Sequence, residues 1–289
     1  MMIQSFEVRP LANFGLEILG LDLSAGLDES TSEKLQDLLL QKGILLFRDQ
    51  NLKDQAIIDF ANQLGVTQGH PLGKFTSPGF PDILLSSNKM EKGEPIGIMD
   101  IGQFWHTDGS YLPIPYMYTL LYGAEIPHDK DGKPLGDTLF LSATLAYEAL
   151  PDDIKTIIST MSAFHSYDFR YQLRLKKNPE VLSAAKAKVD IKHPIAYEHP
   201  ITGRNALFVN EGYVKKIEGV SDMEVERLLN KLFSHLQNPV FGYRHQWKKG
   251  DVIVWDNVST QHNAVADYSR HQSRLMKRVT IKKSSRLTR

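Results

Sequence analysis

The chain contains no cysteine. Disulfide scaffolds, thiolate metal sites and cysteine nucleophiles are therefore excluded, and any metal must be held by His, Asp or Glu. Neither charge is in excess: 34 Lys and Arg stand against 34 Asp and Glu. A dedicated nucleic-acid binder would carry a basic surplus, so nucleic acid is not an expected partner. The stretch from Lys282 to Arg289 is locally basic and reads as a solvated end. No apolar run approaches the roughly 18 residues of a membrane span, so no membrane partner is expected. The opening MMIQSFEVRP lacks the basic and apolar regions of a secretory signal, and the cytoplasm is the expected compartment.

What is present is ordinary for a globular chain: 42% apolar and 24% charged residues over a length of 289. A chain of this size buries about 75% of its unfolded surface without help from disulfide or metal. A single domain over 1–289 is expected, and a homo-oligomer is compatible with the composition. Leu16 to Leu19 reads as a short strand and Thr31 to Gln41 as a helix stopped by Gly43. Ile44 to Phe47 reads as a buried strand, and Asp54 to Leu64 as an amphipathic helix. Glycine and proline crowd Val66 to Asp82, and glycine Asn88 to Gly102, so both are expected to be loops. Long loops of this kind serve as lids, here at about 66–82 and 88–104.

Tyr116 to Glu125 and Thr138 to Leu141 are strand-like. Ser142 is placed to cap a helix ending near Leu150, with Pro151 opening the next at its first position. Ser221 and Glu224 form a capping-box pattern ahead of a strong apolar stripe from Val225 to Leu236. Tyr243 to Trp247, Val252 to Trp255 and Leu275 to Ile281 are again strand-like. The fold class this order suggests is α+β, with a β sandwich or barrel core.

Ten histidines are present, and most need no functional explanation. His106 has Asp108 two residues on. On an extended segment both side chains point to one face, so an imidazole and a carboxylate can reach one ion. A third ligand would complete the two-His, one-carboxylate set that suits Fe(II). His262, after the buried run Val252 to Trp255 and a polar turn, is the best placed third member. Arg274 and Arg278 follow on a strand-like segment. Four apart, they share a face, and guanidinium groups there suit two separate anions.

Several motifs together resemble the TauD/TfdA family of Fe(II)- and 2-oxoglutarate-dependent dioxygenases. They are Trp105-His106-Thr107-Asp108, Gly136-Asp137-Thr138-Leu139-Phe140, Ala146-Tyr147-Glu148-Ala149-Leu150 and Ala206-Leu207-Phe208-Val209-Asn210-Glu211-Gly212. Trp255-Asp256-Asn257, Gln261-His262 and Arg274-Leu275-Met276-Lys277-Arg278 complete the series. The resemblance runs from about Phe6 to Ile281. It implies a double-stranded β-helix, or jelly roll, with flanking helices. It implies Fe(II), 2-oxoglutarate and O2 as cofactor and co-substrates. His106, Asp108 and His262 match the iron ligands, Thr138 a hydroxyl that holds 2-oxoglutarate, and Arg274 the partner of its distal carboxylate. The implied reaction oxidises a small-molecule substrate, usually by hydroxylation, with release of succinate and CO2. Asp108 fills the position that iron halogenases of this general type leave open for a halide.

The same resemblance implies that His70 and Arg278 bind an anionic group on the substrate, such as an alkylsulfonate or carboxylate. Gly73 stands where the taurine enzymes have a tyrosine on the sulfonate. Gly102 stands where they have an asparagine, with Gln103 beside it as a substitute. Tyr213 replaces a pocket phenylalanine and adds a hydroxyl. The segment from Ser86-Ser87-Asn88 to Gly102, with Phe104-Trp105-His106, is also similar to relatives that oxidise N-substituted amino acids, including isonitrile-forming enzymes. A non-catalytic metal- or ligand-binding barrel is the alternative from a different functional class.

Overall fold

Two strands, Ile44–Phe47 and Val252–Asp256, the second apolar up to Trp255, lie side by side and antiparallel at the centre of the molecule. Successive side chains of a strand point to opposite faces, so an unbroken apolar run requires cover on both sides. The two cores divide along this alternation. Leu45, Phe47, Val252 and Val254 pack with Leu35, Leu39, Ile57, Phe60 and Leu64 of the two N-terminal helices. Ile44, Leu46, Ile253 and Trp255 face the other way, onto Phe140, Trp247 and Met276.

The computed structural model describes residues 4–69, 73–99, 101–168 and 189–283. The central strands belong to a nine-stranded sheet. Its order is Glu7–Pro10, Leu16–Leu19, Ile44–Phe47, Val252–Asp256, Tyr118–Glu125, Leu275–Lys282, Phe80–Ser87 and Thr76–Ser77, with Val66–Gln68 also paired to Leu275–Lys282. A three-stranded sheet, Gly242–His245, Thr138–Ser142 and Thr260–Ala264, lies across the inner core. A third region packs the strands Ser162–His165, Ile191–Pro194 and Val214–Ile217 against helix Asp222–Leu236. The fold is thus mixed α and β, with sheets at its core. Among the described residues no helix is long and apolar enough to cross a membrane.

Most of the expected elements form, with informative differences. The first helix runs Glu29–Lys42, starting earlier than Thr31, because Asp28 caps it by accepting from the Thr31 amide at 2.8 Å. Gly43 stops it in the left-handed region, φ 77°, and returns its amide to the Leu39 carbonyl. Helix Asp54–Leu64 has the expected limits. Ser142 caps Ala143–Glu148, but Pro151 stands at the cap of Asp152–Ile158 rather than at its first position. The Ser221 hydroxyl bonds the Glu224 carboxylate directly at 2.5 Å and no backbone amide, so the pair is not the reciprocal box expected.

The two stretches read as loops carry regular structure. Strands Val66–Gln68, Thr76–Ser77 and the start of Phe80–Ser87 occupy the first. Pro81 is tolerated because Leu275–Lys282 pairs only with Leu84 to Ser87 of that strand, leaving no bond for Pro81 to break. The second contains a hairpin, Met90–Glu91 with Glu94–Pro95, turned by Lys92 and Gly93 at φ 50° and 84°.

Candidate active site

His106 reaches its position through the sheet. Its amide donates to the His262 carbonyl at 3.1 Å and the His262 amide donates back at 3.0 Å. Segments far apart in sequence are thus locked face to face by one bridge. His262 itself lies in strand Thr260–Ala264, opposite Phe140. Asp108 is in a turn rather than on an extended segment, so the simple alternation that paired it with His106 holds only at the His106 end. Even so, ligand atoms of His106, Asp108 and His262 lie within 4.8 Å of one another, all buried.

The turn that delivers His262 is built by Asp256. Its Oδ1 accepts from the Val258 and Ser259 amides, both at 2.8 Å, and its Oδ2 is 2.8 Å from His199 Nε2. His199 Nδ1 accepts from the Ile201 and Thr202 amides, so Nε2 is the donor to Asp256. The next residue, Asn257, joins a directed chain of hydrogen bonds. Trp255 Nε1 donates to Asn257 Oδ1 at 2.9 Å, Asn257 Nδ2 to Thr119 Oγ1 at 3.0 Å, and Thr119 Oγ1 to Asp108 Oδ2 at 2.9 Å. The carboxylate is thereby aimed by a fully buried support, as ligands of a metal commonly are.

The donor set fits a cation. His106 Nδ1 lies 2.8 Å from the Phe104 carbonyl, which can only accept, so Nδ1 carries the proton. Nε2 is the ring nitrogen left to face the site, 3.5 Å from Asp108 Oδ1. His262 Nε2 lies 3.8 Å from Asp108 Oδ2, and its buried Nδ1 has no partner. Burial first, and then the neighbouring His106, push the His262 imidazole well below its usual range, so it is neutral. Burial alone would push the Asp108 carboxyl up. The Arg278 guanidinium, at 2.7 Å, opposes this and helps hold Asp108 well below the usual carboxylate range. The His106 and His262 rings and the Asp108 carboxylate therefore converge, which is the oxygen- and nitrogen-donor set that Fe(II) takes.

Arg274 lies one residue before strand Leu275–Lys282, and the buried Met276 separates it from Arg278. Its side chain stacks over Tyr268 at 5.5 Å and Nη1 reaches Ser86 Oγ at 3.4 Å. Among the described residues no carboxylate forms a direct ion pair with it, though Asp267 acts on its charge, and its buried Nε has no partner. Thr138 is buried and accepts from Trp247 Nε1 at 3.0 Å. Arg278 also keeps a buried Nε without a partner, besides its bond to Asp108. The Tyr213 ring lies 6.4 Å from His106, 5.9 Å from Phe104 and 5.0 Å from Tyr111. Phe104 in turn lies 4.6 Å from His106, so aromatic rings form one wall of the site. Gln103 is exposed and stands outside this buried set. His70 lies outside the described residues.

Sequence reasoning missed Thr119 and Tyr111, and it saw Phe104 within a motif without giving it a role. A threonine within a β-rich run and aromatics near a histidine carry no signal of their own. Asn257 was visible within a motif, but its role as a link to Asp108 was not. Gly212 is a related case. A Cβ there would come 2.1 Å from the Phe104 ring, and Phe104 packs on His106. We expect Gly212→Ala to cost about 1–3 kcal/mol by overpacking and to weaken Fe(II) binding. Thermal unfolding and a metal titration test this, and an unchanged affinity would mean that Phe104 does not set the pose of His106.

Residues 7–280 match the taurine catabolism dioxygenase TauD, TfdA family. The chain belongs to that family. It is 32% identical to an alkylsulfatase of Acinetobacter baylyi over 96% of this chain and 85% of the relative. It is 29% identical to an alpha-ketoglutarate-dependent sulfate ester dioxygenase of Pseudomonas putida over 95% of this chain and 89% of the relative. A solved taurine dioxygenase from Burkholderia xenovorans superposes with a TM-score of 0.79 at 28% identity, covering 96% of this chain and 89% of that one. The protein is accordingly a 2-oxoglutarate-dependent dioxygenase that uses Fe(II), 2-oxoglutarate and O2 and acts on a small molecule.

Proposed function

We propose that this dioxygenase oxidises a small organic sulfur oxyanion, an alkyl sulfonate or sulfate ester, at the carbon bearing the anionic group. The observation that carries the site assignment is the convergence of the His106, Asp108 and His262 donor atoms within 4.8 Å. These three residues would hold iron. Bound iron supplies the redox chemistry that couples decarboxylation of 2-oxoglutarate to oxidation of a substrate carbon.

The remaining roles belong to the chain itself. Arg274, buried with no direct ion pair to a carboxylate among the described residues, would take the distal carboxylate of 2-oxoglutarate. Thr138 would donate to the same molecule. Arg278 would use its free Nε to fix the substrate anion, with Tyr213, Tyr111 and Phe104 excluding water around the apolar part. His70 and Gln103 would join the substrate side. The two sheets that meet over the inner core support a double-stranded β-helix reading, and the family match over nearly the whole chain supports one domain.

The names of these two relatives favour a sulfate ester over a carboxylate. The test is succinate formation from 2-oxoglutarate in air, screened over alkyl sulfates, alkyl sulfonates and aryloxy or alkyl carboxylates. Hydroxylation beside the sulfur group yields an aldehyde with sulfate or sulfite, so stoichiometric release of either supports the reading. Turnover only with carboxylates overturns it. For Arg278→Gln we expect the substrate KM to rise about 10- to 100-fold, as for loss of a charged hydrogen bond, while slow substrate-free decay of 2-oxoglutarate persists. An unaltered KM would remove Arg278 from the substrate site.

A further inference from the structure

We propose that Trp247 is a positioning residue for 2-oxoglutarate: its indole N–H fixes the Thr138 hydroxyl as a donor into the site. The inference rests on the reading of Thr138 given above. Trp247 is completely buried, and its Nε1 donates to Thr138 Oγ1 at 3.0 Å. An indole has one polar hydrogen and no acceptor, so the direction of this bond is fixed by chemistry. Thr138 Oγ1 is the acceptor, and its own proton is left to serve another group.

That matters because the oxygens of 2-oxoglutarate only accept when the acid is ionised. A free threonine hydroxyl rotates and is satisfied by donating or accepting. With the indole N–H occupying one lone pair, the rotor is biased to present its hydrogen elsewhere. The cost of ordering that hydroxyl is then met before the co-substrate arrives.

The surroundings hold Trp247 in place from both sides. On one side His245, directly opposite Thr138 in the sheet, meets the Trp247 ring edge to face at 4.5 Å. On the other, the Lys248 amide donates to Asp251 Oδ2 at 2.7 Å. The same fully buried oxygen is 3.0 Å from His245 Nε2 and takes Arg48 Nη1 at 2.6 Å. Arg48 also reaches the Gln246 carbonyl at 3.4 Å. One buried carboxylate thus ties down the residues before and after Trp247. Hydrogen bonding to Thr138 is the polar contact this support delivers.

The test is an anaerobic titration of the Fe(II)-loaded protein with 2-oxoglutarate, read from the visible band of the chelate. It is run on wild type, Trp247→Phe, Thr138→Val and the double variant. Trp247→Phe should weaken binding about tenfold, the scale of one net hydrogen bond, with Fe(II) affinity unchanged. In the Thr138→Val background the same substitution should cost nothing further, and in Thr138→Ser, which keeps the hydroxyl, its cost should return. Equal losses in the Thr138→Val and wild-type backgrounds would mean that Trp247 acts by packing, and would overturn the inference while leaving Thr138 in its role. No loss in Thr138→Val alone would instead remove Thr138 from the co-substrate site. If Trp247→Phe does not fold, benzothienylalanine placed at position 247 keeps both rings and lacks only the N–H. It should reproduce the tenfold loss, and wild-type affinity there overturns the inference.

Discussion

His106→Ala leaves a folded chain that turns over at less than about a thousandth of the wild-type rate, the scale expected when a metal centre worth several kcal/mol is lost. The fold does not depend on His106. Two extensive apolar cores flank the central sheet, and the bridge that ties His106 to His262 is made by backbone groups that the substitution keeps. The substitution removes one converging lone pair and leaves the Asp108 supports from Thr119 and Arg278 intact. Asp108→Ala also abolishes turnover, but it does more. It strips Arg278 of its carboxylate at 2.7 Å inside the protein, and breaking a buried pair typically costs about 3–5 kcal/mol. Asp108→Ala is therefore expected to unfold at clearly lower temperature than His106→Ala. Succinate assay and thermal unfolding of both variants check this. Retained activity in His106→Ala would remove it from the metal set, and equal stability would mean that the Arg278 pair contributes little.

Arg274→Ala raises the 2-oxoglutarate requirement by about 100-fold or more, as expected when one partner of a buried charged hydrogen-bonded pair is truncated at a cost of about 2–5 kcal/mol. Burial lowers the affinity of the Arg274 guanidinium for its proton, and Tyr268 and Asp267 offset this only in part. Tyr268 offers its ring and a side-chain hydrogen bond and Ser86 a weak hydroxyl contact, while Asp267 acts on the charge without a direct ion pair. A buried cation so incompletely compensated is stabilised further when an anion arrives. The substrate KM should move far less, because Arg278 lies on the other side of Met276 and faces Asp108. Kinetics at varied 2-oxoglutarate and fixed substrate separate the two. An unchanged requirement would mean that another cation holds the distal carboxylate.

The central strands and the flanking helices were legible because their residues obey one periodicity. The run Val252 to Trp255 is apolar throughout, and both of its faces are covered. Helix Asp54–Leu64 turns Ile57, Phe60, Ala61 and Leu64 to one side. The stretches rich in glycine and proline misled, because those residues mark turns without saying how short the turns are. The hairpin around Lys92 and Gly93 and the strand carrying Pro81 both fit between such marks. His106, Asp108 and His262 were legible through motif order, and the geometry brings them together. Their supports were not. Thr119 and Asn257 act through side-chain hydrogen bonds, from a strand to the Asp108 turn and between segments far apart in sequence, and no residue spacing encodes such contacts. The same holds for Trp247, which reads as one more buried aromatic until its N–H is seen on Thr138.

The central claim is that His106, Asp108 and His262 hold an iron that chelates 2-oxoglutarate. It is tested most directly by anaerobic titration of the metal-free protein with Fe(II) and 2-oxoglutarate, followed by visible absorption. The account predicts a charge-transfer band that needs both components and is lost in His106→Ala. A folded protein that takes up Fe(II) with no band, or one whose band survives in His106→Ala, would contradict it.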